Sequence, residues 1–159
     1  MGRLERSAKN MRPYSQQAFE LKMGIEAGVV TSSEVISWAD ETLSKHDYDD
    51  DLANISMASE ASPKDLIILI GQVVDQRDEI QAMRNVMGRI YKVLKQQPER
   101  AHSFTRFLER FWIEQDYDVP KDMDFICGVD DEFALAQQGI YGNVKKATKT
   151  LISNLSKYE

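Results

Sequence analysis

His46 and His102 are the only histidines of this chain, and Cys127 is its only cysteine. Local metal and nucleophile chemistry therefore has few pieces to work with. Neither histidine sits in an HExxH or an i, i+4 pair, and one cysteine gives no CxxC, so the spacings that bring zinc ligands onto one face are missing. His46 stands beside Asp47 but reads as a solvated helix end, where an imidazole suits the negative pole of the helix dipole. Asp47-Tyr48-Asp49-Asp50-Asp51 opens like a calcium loop. Its sixth place holds Leu52 where a sharp turn needs glycine, and its twelfth holds Ala58 where a bidentate glutamate belongs. Asp116-Tyr117-Asp118 fails in the same way, with Pro120 and Lys121 following. Cys127 lies in the apolar run Phe-Ile-Cys-Gly and reads as a buried small residue. A Cys127–His102 pair assembled in space stays open, as the core of a small enzyme. The chain has no G-x-S-x-G, Walker loop or G-x-G-x-x-G, and Gly139-Ile-Tyr-Gly142 reads as a turn. No catalytic residue, metal or cofactor is expected.

What remains is charge. The chain has 159 residues and a net charge of −6, which argues against general binding of nucleic acid, where phosphates call for surplus Lys and Arg. The acids concentrate in two segments. Asp40 to Asp51 holds six against one lysine, and Glu114 to Glu132 holds eight against Lys121 alone. Tyr48, Tyr117 and Phe125 lie among them. Aromatics ringed by carboxylates suit a face that binds a basic protein, since charge steers encounter and aromatics supply anchors. Wet, acidic interhelical loops are the competing explanation. The contacting set expected on the first view is Asp47, Tyr48, Asp49, Asp50, Asp116, Tyr117, Asp118, Asp122, Asp130 and Asp131. The basic clusters Lys145-Lys146-Lys149 and Arg84-Arg89-Lys92-Lys95 read as ordinary helix-surface charge.

The elements that must position these residues are helices. Ala18, Leu21 and Ile25 share one face of a helix from about Ser15 to Ala27, stopped at Gly28. Thr31-Ser-Ser-Glu34 is a capping box opening a second helix, and Asp51–Ser59 suits a short third. Ser62-Pro63-Lys64-Asp65 is a helix start, which favours a buried helix over a strand for LIILI (66–70). Ile80, Met83, Met87, Ile90 and Leu94 step by 3 and 4 as in a bundle seam. Pro98 opens a helix striped by Phe104, Phe107, Leu108, Phe111 and Trp112. A polar link follows, then one or two short helices between Met123 and Gln138. A last helix is marked by Val144, Thr148, Leu151 and Leu155. The expected fold is all-α: a single-domain helical bundle or a short stack of helical hairpins, with about seven or eight helices. Segments 31–40 and 62–71 echo each other at an offset of 31 residues, which would favour a helical scaffold or adaptor.

Residues 1–12 carry Arg3, Arg6, Lys9 and Arg12 against Glu5 and read as a flexible basic N-terminal tail, with Met11 an alternative start and 13–159 a single helical domain. No signal peptide or membrane span is written in the sequence, so a cytoplasmic protein without membrane contact is expected.

FWIEQDYDVPKDMDFI (111–126) resembles a signature of a bacterial family of small helical proteins: aromatic, acid, Tyr-x-Pro-x-Asp-Met, then Phe. VVTSSEVISWAD (29–40) is similar to an earlier stretch of the same family. After the Phe-Ile pair, where members continue with aromatics and proline, this chain reads Cys127-Gly-Val-Asp-Asp. Such proteins resemble immunity proteins encoded beside polymorphic or contact-dependent toxins. The resemblance implies a protein that binds and neutralises a cognate toxin domain and performs no chemistry itself; the acidic segments call for a basic surface on that domain, and the free chain is expected to be a monomer.

Overall fold

Helix starts in this chain are written locally, and they hold. The computed structural model describes residues 11–159. Within them the chain forms eight α-helices and no strand: α1 (Ser15–Ala27), α2 (Ser32–Lys45), α3 (Asp50–Ser56), α4 (Pro63–Gly71), α5 (Glu79–Gln96), α6 (Ala101–Glu114), α7 (Val129–Gln137) and α8 (Val144–Leu155). The hydroxyls of Thr31 and Ser62 accept from the amides of Glu34 and Asp65, both at 3.1 Å, so the echo between α2 and α4 extends to their caps. Asn143 caps α8 through the Lys146 amide. α1 stops at Gly28, whose φ of 84° puts it in the left-handed region that a Cβ disfavours. Pro98 opens a 3-10 turn, Pro98–Arg100, before α6 begins at Ala101. A second 3-10 turn, Lys121–Ile126, precedes α7.

The chain divides into two compact units, with the boundary between Met83 and Arg84 inside α5. In the first unit α1 packs on α4, α2 on α3, and α3 on α4. Its core gathers Ala18, Leu21, Val35, Leu52, Leu66 and Ile70, the residues whose 3–4 spacing marks the helices as amphipathic. In the second unit α6 packs on α7 and α8, and α7 on α8, around Phe104, Leu108, Phe133 and Leu151. Each fully buried side chain of this size contributes roughly 1.5–3 kcal/mol. The α5 seam is buried at Met83, Met87, Ile90 and Leu94 and half-buried at Ile80.

Two local expectations change. Arg12, assigned from sequence to the basic tail, is 7% exposed and belongs to the first unit, while residues 1–10 of that tail lie outside the described residues. Cys127, expected in the core, is exposed. Met123, Ile126 and Val129 turn inward there, and Cys127, at the end of the 3-10 turn, falls on the other side. No helix among the described residues is long and apolar enough to cross a membrane.

Candidate functional site: two acidic segments

The first acidic segment lies at the start of α3. Asp49 is its N-cap and accepts from the amides of Asp51 (2.9 Å) and Leu52 (3.4 Å). Its carboxylate also accepts from Arg12 Nε at 2.5 Å and from the Tyr14 hydroxyl at 2.6 Å. Arg12 reaches Asp51 at 3.0 Å and Asp75 at 3.3 Å, and donates to the Gln72 carbonyl at 3.1 Å. The Arg12 side chain is only 4% exposed. The start of α1, the start of α3 and the segment after α4 are thereby tied to one guanidinium, whose planar fork suits several carboxylates at once. Burial disfavours a charged Asp49, but the hydrogen bonds from Arg12 and Tyr14 and the charge of Arg12 outweigh it and hold the carboxyl at about 2. Burial, reinforced by Asp49, raises the Tyr14 phenol. Of the residues expected to contact a partner in this segment, Asp47, Tyr48 and Asp50 are exposed, and Asp49 is committed to the interior network.

The second segment begins where α6 ends. Its stop has the hydrogen bonds of a Schellman motif: Asp116 N–H donates to the Ile113 carbonyl and Tyr117 N–H to the Trp112 carbonyl, both at 3.0 Å. That geometry ordinarily falls to glycine. Here Asp116 (φ 53°) and Tyr117 (φ 65°) occupy the left-handed region in succession, and they are the only non-glycine residues with positive φ among those described. Each such residue costs about 1–2 kcal/mol. The contact that goes with the motif is present, with the Tyr117 and Trp112 rings 4.5 Å apart between centroids. Tyr117 is still 62% exposed and Ile113 49%, and the neighbouring Glu114, Asp116 and Asp118 are exposed too. The corner displays an aromatic and aliphatic knob bordered by carboxylates.

The remaining expected contacts separate. Asp122 pairs with Arg84 and accepts from the Tyr158 hydroxyl at 2.8 Å. Burial works against its charge, but Arg84 and Tyr158 lower its pKa overall. Gly88 makes this arrangement possible, because a Cβ there would collide with the Tyr158 carbonyl oxygen. Asp130 accepts from the Thr105 hydroxyl at 2.6 Å and lies 3.6 Å from His102 Nε2. Asp131 is exposed on the first turn of α7.

Sequence reasoning placed Arg12 in the basic tail and read Arg84 as helix-surface charge, and both carry ion pairs with acids distant in sequence. It also passed over Ile113 as a display residue. The lack of glycine or asparagine at the end of α6 was the one available signal. His102 stacks on Phe133 at 5.6 Å, beside its Asp130 contact, and His46 lies edge-on to Tyr14 at 5.3 Å. Among the described residues no group of three or more His, Cys, Asp or Glu is placed to hold a metal ion. Comparison with protein-family models, curated proteins and solved structures finds no match to this chain.

Proposed function

We propose that this chain is an immunity-type protein that neutralises a bacterial toxin domain by binding it, with the α6 corner as the principal contact. The observation that supports this reading is the strained pair Asp116–Tyr117. Backbone held in a disfavoured region is retained where the surrounding structure gains from it. Here it presents Tyr117 and Ile113 to solvent amid Glu114, Asp116 and Asp118. An aromatic anchor supplies affinity once desolvated, and the carboxylates steer a basic partner into place. Asp47, Tyr48 and Asp50, exposed in the first unit, are candidates for further contacts.

The test is coexpression with the product of the neighbouring gene. A stable complex and protection of cells from that product are expected; absence of both refutes the toxin reading. Within a complex, Asp116→Lys with Asp118→Lys slows association and flattens its salt dependence, while Tyr117→Ala chiefly speeds dissociation. An unaltered association rate in the double variant removes the α6 corner from the interface.

A further inference from the structure

The second unit carries another surface feature, which belongs neither to the α6 corner nor to the ion networks. Between α7 and α8 runs an open groove of about 640 Å³. Its floor is apolar, formed by Leu135, Ala136 and Ala147. One wall, on α7, carries Asp131 and Glu132; the other, on α8, carries Lys146 and Thr150. A shallower depression of about 350 Å³ continues from it among Asn143, Lys145, Lys146 and Lys149. Asp131, Glu132, Lys146 and Lys149 form no ion pair among the described residues. At the end of the groove, where the chain turns from α7 into α8, Ile140 and Tyr141 are 67% and 73% exposed, with Leu135 and Val144 partly exposed beside them.

An apolar floor between two helices is where a third helix packs. From the N-cap Gly128 to Leu135 the groove follows α7 for about 10 Å, or two helical turns. The walls carry opposite charges, and that asymmetry specifies the occupant. A uniformly basic helix would meet the lysines of α8, and a uniformly acidic one would meet Asp131 and Glu132. We infer that this groove is the docking site for an amphipathic helix of a partner protein, with an apolar ridge on the floor, basic residues on the flank above α7 and acidic residues on the flank above α8. The aliphatic and aromatic cluster at the turn covers the end of that ridge.

The inference does not rest on the toxin reading. Loss of toxin binding with peptide binding retained removes only that reading, and the converse removes only this one. Three synthetic helical peptides of about four turns serve as probes. They share one leucine stripe and differ in their flanks: Lys on one side and Glu on the other, Lys on both, or Glu on both. Titrated into the full chain and followed by amide chemical shifts, the mixed peptide is expected to bind about tenfold more tightly than either uniform one. Its shifts should centre on residues 131–136 and 140–150. Lys146→Glu with Lys149→Glu should transfer the preference to the peptide with lysine on both flanks. Leu135→Glu, and separately the more exposed Tyr141→Glu, should weaken the mixed peptide about tenfold while circular dichroism stays unchanged. Equal affinity for all three peptides, or shifts centred elsewhere, overturns the inference. So does a dimer of the free chain that Leu135→Glu or Tyr141→Glu dissolves, because the face then belongs to a second copy.

Discussion

At the start of α3, Asp49 receives a guanidinium, a phenol and two backbone amides. At the end of α6, Asp116 and Asp118 stand exposed beside an exposed tyrosine. The two stretches read alike, as Asp-Tyr-Asp, and the structure uses them differently. In the first, a buried arginine turns carboxylates into ties between segments far apart in the chain. In the second, strained backbone holds charge and aromatic surface outward. Acid density alone therefore does not distinguish a structural knot from an exposed acidic surface. The distinguishing feature is whether a cation reaches the carboxylates from another part of the fold.

The largest expected effect comes from removing that cation. Arg12→Met leaves Asp49 and Asp75 without their shared partner and should destabilise the chain by on the order of 3 kcal/mol, read as a lower urea midpoint. Asp116→Asn with Asp118→Asn should leave the midpoint nearly unchanged; a comparable loss would erase the contrast. Next in size, Gly88→Ala should cost about 2 kcal/mol, because the added methyl must displace the Tyr158 carbonyl and loosen the hydroxyl that holds Asp122. Equilibrium denaturation checks it.

Acid provides a further test. The folded pKa of Asp49 is depressed, from an ordinary value near 3.8 to about 2. Its contribution is therefore fully present above the unfolded value and is lost as pH falls from about 4 through 2. Asp49→Asn should flatten the stability profile in that window, read as urea midpoints measured across it. The smallest effect has the opposite sign. Asp116→Gly relieves a left-handed non-glycine residue and should raise stability by about 0.5–1 kcal/mol, seen as a higher thermal midpoint. If the α6 corner is the binding face, the same variant should weaken partner binding by loosening Tyr117.

Most of the helical layout was legible because its signals are local. Thr31 and Ser62 cap, Pro63 starts, Gly28 stops, and the 3–4 spacing of apolar residues marks each buried stripe. The polar link marked the end of α6, but the left-handed backbone after it was not legible, because Asp116 and Tyr117 stand where a glycine would have announced it. Cys127 was misread because its neighbours in sequence are apolar, and a 3-10 turn decides which of them face inward. The expected contact residues were only partly separable. Asp47, Asp50 and Asp131 look no different in sequence from Asp49, Asp122 and Asp130.

By itself, then, the sequence determined the helices and their buried faces, since caps and periodicity act within a few residues. Only the tertiary structure decided which acids are tied and which are presented. The partners of Arg12 lie 37 to 63 residues away, and Asp122 lies 38 from Arg84. Coulombic attraction and hydrogen bonding depend on distance in space, which chain order does not encode until the helices have packed.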